Sequence, residues 1–190
     1  MKKYTTIILF VAGCGLIFLG WKVGSRSLMS LGALPIGVSA FMWGVDAVRT
    51  RTSDYDSSTT HEGYYPAFSY RGLAAVGDGV SLILWGVLII AGGLLFLFHL
   101  EHSFIHGIKE RPGLVLIFSG FLMASSSLTL ILGAREENRV SGRMLVSIPR
   151  RLFGLLLFLT ACGALLSGLY ELVNPSGFDS LLASFTRQEL

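Results

Sequence analysis

Three of the four histidines lie within eight residues, at His99, His102 and His106. On one continuous helix, their spacing of three and four residues puts all three imidazoles on one face, where neutral ring nitrogens can bind zinc, copper or haem iron. A metal centre ordinarily takes three or four ligands whose orientation is fixed by further hydrogen bonds. Once the long apolar runs are taken as membrane crossings, the other ligand types on that side are Glu101, Glu110 and Glu171, and His61 falls on the opposite side. The favoured reading is therefore a chance cluster at a membrane interface, with a metal site as its rival.

Asp46 and Asp78 are the acids nearest to long apolar runs. A carboxylate inside hydrocarbon is costly, and one purpose it serves there is to share a proton or a cation. Residues 28–45 and 80–98 are each long enough to cross a bilayer alone, so neither acid has to enter it. Asp46 can instead pair with Arg49 at i+3, and Asp78 with Arg71 or Arg49. Ser125, Ser126, Ser127 and Thr129 place hydroxyls inside another apolar run, where they can bond an i−4 carbonyl or a neighbouring helix. Cys14 and Cys162 stand amid apolar residues and read as small buried side chains. No phosphate-binding glycine loop, nucleophile elbow or paired-cysteine metal motif occurs. These readings lean away from an enzyme, and they require no cofactor.

The elements that must position these groups are the apolar runs themselves. Of 190 residues 52% are hydrophobic and 14% charged, which puts the chain in the membrane class. Where no water can satisfy backbone N–H and C=O groups, a run of about 18 or more apolar residues must form a helix. The sequence predicts an all-α integral membrane protein, a single domain over 1–190 built as a bundle of five transmembrane helices. The spans are expected at about 5–23, 28–48, 74–98, 113–134 and 152–173. Counted on alternate sides, Lys and Arg divide ten to five in favour of the side holding the N-terminus, which predicts N-terminus inside and C-terminus outside. The expected location is a bacterial inner (plasma) membrane. The lipid bilayer is the first partner, and no basic aromatic patch invites nucleic acid. Met1-Lys2-Lys3 and the apolar stretch ending at Cys14 resemble a bacterial lipoprotein signal. The run continues through 15–21, however, so a retained first helix fits better.

Helix contacts are read from small residues at helical spacing: Ala33, Gly37, Ala40 and Gly44 in the second span, Ala75, Gly79, Gly86 and Gly93 in the third. Pro35 should kink the second span, and Pro112 suits a helix start. Trp21 and Tyr170 fit the headgroup zone at helix ends. The loop of about 50–72 lacks an apolar period and reads as flexible. The basic loop 135–151 carries Arg139, Arg143, Arg150 and Arg151, placed to meet anionic lipid headgroups. Phe178, Leu181, Leu182 and Phe185, at i, i+3, i+4 and i+7 with Ser176 as N-cap, predict a short C-terminal interfacial amphipathic helix over 176–187. The last four residues resemble a variant lumenal retention signal. Leu9-Phe10, Cys14-Gly15 and Gly20 match Leu157-Phe158, Cys162-Gly163 and Gly168 at a fixed offset, a weak sign of duplication.

These residues lead to the expectation of a non-catalytic accessory or assembly subunit that packs against other membrane-protein subunits. One rival is a small transporter or channel component using Asp46, Asp78 and the span-four hydroxyls. A second is a haem- or metal-binding redox membrane protein using His99, His102 and His106.

Overall fold

A computed structural model describes residues 2–55, 68–132 and 143–187. In chain order these form α1 (Lys2–Val23), α2 (Arg26–Thr50), β1 (Thr52–Tyr55), β2 (Phe68–Arg71), α3 (Leu73–Leu97), α4 (Glu101–Glu110), α5 (Pro112–Leu132), α6 (Arg143–Val173) and α7 (Pro175–Arg187). Five helices, α1, α2, α3, α5 and α6, are long and apolar enough to cross a membrane, as a multi-pass membrane protein requires.

Local chemistry fixes where each helix stops. The Ser25 N–H bonds the Gly20 carbonyl at 2.8 Å across Gly24, which sits at φ +68°. This is the reverse turn by which a left-handed glycine satisfies the last carbonyls of a helix. Ser25, extended, then accepts the Leu28 N–H and caps α2. The same closure ends α3, but with a histidine: the Leu100 N–H bonds the Leu95 carbonyl at 2.8 Å and His99 takes φ +55°. The third span therefore ends at Leu97, close to the expected 74–98, and the condition for one continuous helix through the histidines is not met. The chain breaks at His99, and α4 is a separate helix.

Three other expectations change. The segment read as a flexible loop carries an antiparallel β1–β2 hairpin, in register Thr52↔Arg71 and Ser53↔Tyr70; residues 56–67 lie outside the described residues. The fifth long helix starts at Arg143 rather than near 152, because a helix can run past the apolar stretch that hydropathy detects. At α7 the cap is Asn174, whose Oδ1 accepts the Gly177 N–H at 3.0 Å, and Ser176 lies inside the first turn.

The five long helices form an open row. α1 packs on α2, α2 on α3, α3 on α5 and α5 on α6, with no comparable contact between non-neighbours among the described residues. The expected bundle thus does not close around a shared core. Among the described residues, the buried apolar side chains are all alanines, Ala47, Ala74, Ala75 and Ala161, while Phe10, Trp21, Phe121 and Leu159 point outward. Large side chains on the outside and small ones inside suit a lipid solvent, in which leucine gains nothing by hiding from its surroundings.

Facing glycines hold most of the row together. Gly13 faces Gly32, Gly37 faces Gly86, Gly44 faces Gly79 and Gly113 faces Gly168. A methyl group on any of these eight would meet its partner's carbonyl oxygen at 2.5–2.8 Å, closer than real side chains come. Gly44→Val and Gly79→Val should therefore each destabilise the fold by roughly 1–3 kcal/mol, the usual cost of overpacking. Gly15→Ala and Gly163→Ala, which open onto free space, should be neutral or stabilising by up to about 1 kcal/mol. Reversible unfolding in mixed micelles, followed by circular dichroism, measures the difference.

Candidate functional site

The α3–α5 contact differs in chemistry from the glycine-paired ones. Ser81 Oγ lies 2.8 Å from Ser125 Oγ and 3.1 Å from Ser126 Oγ. Ser125 donates to the Leu122 carbonyl at 2.9 Å, which leaves Ser81 as donor to Ser125. Thr129 Oγ1 reaches the Ala74 carbonyl on α3 at 3.4 Å, and Gly77 packs against the Ser125 backbone. Ser127 is completely buried and bonds the Ala124 carbonyl. This polar seam joins two blocks, α1–α2–α3 and α5–α6.

One turn from Ser81, Asp78 Oδ2 accepts the Ser53 hydroxyl at 2.6 Å. Ser53 is buried on β1, directly opposite Tyr70 on β2. The Arg150 guanidinium of α6 lies 5.9 Å from the Tyr70 ring and donates to the Thr129 carbonyl at 3.0 Å. That carbonyl belongs to the last described turn of α5, where helix carbonyls ordinarily need partners from outside the helix. The hairpin is thus gripped at one rung, Ser53 by an acid of α3 and Tyr70 by a base of α6.

The far end of α5 is held in the same way. Glu171 of α6, only 4% exposed, accepts the Gly113 N–H at 3.1 Å through Oε2. Pro112 opens α5 and has no N–H to satisfy. A negative charge at the helix start and a positive one at its end both oppose the helix dipole favourably. Glu171 therefore serves the backbone of α5.

The other sequence candidates are scattered. Asp46 is exposed on α2, whereas Asp78 is half-buried against the hairpin. His99 occupies the chain break, and His102 and His106 are exposed on α4. His106 Nε2 lies 3.3 Å from Glu110 Oε1, and His99 Nδ1 lies 4.0 Å from Glu101 Oε1. Among the described residues no three metal-ligating side chains come together. Gly37, Gly44, Gly79 and Gly86 stand at helix contacts, Gly93 approaches Ala33, Ala75 is fully buried and Ala40 half-buried. Arg150 turns inward, Arg151 is exposed, Arg139 lies outside the described residues and only the backbone of Arg143 is described. Sequence reasoning missed Ser53, Ser81, Gly113 and the role of Glu171, since nothing local marks a serine or a glutamate for a partner 25 or 58 residues away.

Comparison with protein-family models, with curated proteins and with solved structures finds no match. The geometry alone carries the predictions. Ser53→Ala removes a bond to a carboxylate worth about 1.5–3 kcal/mol. Deuterium exchange at the β1 amides should then quicken by at least about tenfold, since about 1.4 kcal/mol is a factor of ten; an unchanged rate would mean that other contacts hold the hairpin. His99→Gly should stabilise the fold by about 1–2 kcal/mol, the cost of a left-handed residue with a Cβ. Metal content measured on the same variant separates a structural His99 from a ligand.

Proposed function

We propose that this chain is a non-catalytic subunit that assembles laterally with other membrane-protein subunits. The observation that carries the reading is the open row. A row of helices encloses no route of its own, and among the described residues α1 and α6 each pack on one long helix. The outward surface of α1 is apolar along its length, from Ile8 and Val11 to Leu19. Such an edge is compatible with lipid or with another spanning helix, and close packing is available wherever a small residue such as Gly15 opens onto free space. The ten-to-five division of Lys and Arg supports an orientation with the N-terminus in the cytoplasm of a bacterial cell.

A second reading, a transport component, is favoured by the seam. Hydroxyls and a carboxylate run from Ser53 through Asp78 to Ser81 and Ser125, between the two blocks. A proton or cation would pass between those blocks.

A photo-crosslinking residue at Val11 or Leu19 on α1 tests the leading reading. A defined adduct with another membrane subunit, absent when the crosslinker stands at Ser127 inside the row, is the expected result. Lipid adducts alone, with a lone monomer after mild-detergent purification, would refute it. For the second reading, Asp78→Asn should reduce ion flux into proteoliposomes at least tenfold, and equal flux removes it.

A further inference from the structure

α4 was not foreseen as an element, and its pattern is that of a helix made to lie on a membrane. Three residues separate it from the end of α3, with the sharp turn at His99 among them. None of its residues is buried against the rest of the protein. Phe104, Ile105 and Ile108 share one side at helical spacing, while His102, Ser103, His106, Lys109 and Glu110 share the other. Glu101 departs from the pattern: it stands on the apolar side, in the first turn, where the helix dipole favours an acid. Phe98, Leu100, Phe104 and Ile105 are all about half exposed or more, so outward apolar side chains stand on both sides of the turn between α3 and α4.

Topology gives α4 a companion. Because α3 and α6 run in the same direction along the row, their C-terminal ends lie at the same end of it, and α7 follows α6 just as α4 follows α3. α7 repeats apolar residues at 178, 181, 182 and 185 and starts sharply at the Asn174 cap. The opposite end of the row carries the hairpin instead.

We propose that α4 and α7 lie flat in the headgroup boundary of one leaflet, with their apolar sides among the acyl chains, and that the protein places these two wedges on one side of the membrane only. The partner is the acyl layer rather than anionic headgroups. The α4 polar face mixes Lys109 with Glu110, and His106 lies against Glu110, so its charges largely offset each other. Apolar burial therefore holds the helix down. The inference rests on the long helices crossing the bilayer, not on which subunits they meet.

The test uses the full chain with Cys14→Ser and Cys162→Ser, reconstituted in phosphatidylcholine vesicles and labelled at single cysteines with an environment-sensitive fluorophore. Labels at F104C and F178C should be quenched severalfold more by brominated acyl chains than by aqueous iodide, and a label at H106C should show the reverse. Adding phosphatidylserine or raising the salt should change none of these ratios. Iodide access at position 104, shielding from both quenchers as a protein partner or a second copy would produce, or burial that requires phosphatidylserine would each overturn the proposal. Circular dichroism of each labelled variant confirms that it is folded. Crosslinking from α1 succeeds or fails independently of these outcomes.

Discussion

In lipid, two leucine-lined helices gain nothing by meeting, because acyl chains solvate those side chains as well as another helix would. What remains is dispersion between closely approaching atoms, which is individually small and falls away over a fraction of an ångström. The row depends on that constraint. At its four glycine pairs each backbone sits where the other's Cβ would be, and the residue four positions on, Ile36 beyond Gly32 or Ile83 beyond Gly79, packs over the partner glycine. Glycine costs helix stability in its own segment, and the four pairs show what offsets that cost. With the interior filled by glycine, alanine and serine, the bulky residues have nowhere to stand except outside.

The α3–α5 seam uses another device for the same task. Hydroxyl pairs also let backbones approach, but they hold by direction as well as by distance, and in a bilayer such bonds average about 0.6 kcal/mol. The row is therefore uneven: two glycine-clasped blocks meet across Ser81, Ser125, Ser126 and Thr129. That seam is also where the hairpin docks, through Asp78, and where α6 reaches across with Arg150. Polar groups with adjustable partners are concentrated at the one junction whose backbones are not fixed by facing glycines.

The helical spans were legible because hydropathy and length decide them within a few residues: α1 and α6 end at Val23 and Val173, as read. The contact glycines of α2 and α3 were legible because small residues recur at helical spacing. Gly13 and Gly113 were not singled out, although each has a second contact glycine seven residues on, Gly20 and Gly120. The break at His99 was hidden since a left-handed closure usually announces itself with glycine, as at Gly24, and Leu97-Phe98-His99-Leu100 has none. The hairpin escaped for a related reason: its strands are four residues long and depend on Asp78 and Arg150 rather than on an apolar face of their own. Residues 28–45 and 80–98 read as long enough to cross without their acids. The Ser53 hydroxyl that bonds Asp78 could not be read beside them, because only the folded hairpin supplies it.

Charge placement on α6 follows from what the ends of α5 need. An α-helix of 21 residues is about 32 Å long, close to the roughly 30 Å of hydrocarbon that a spanning helix crosses. In a helix that spans a bilayer, the first N–H groups and last carbonyls emerge where water is scarce, and a bare backbone group there is expensive. Arg150 and Glu171 stand toward opposite ends of α6 and reach the Thr129 carbonyl and the Gly113 N–H of α5, each with the sign that the α5 dipole favours. Reversing the two charges would set like against like at both termini, so the pair also fixes α5 as antiparallel to α6 and in one register. Gly113 completes the arrangement, because any side chain there would occupy the space of the Glu171 carboxylate. Arg150 and Glu171, charged residues of a long helix of the kind that by default suggests a transported ion, each bond the backbone of the neighbouring α5.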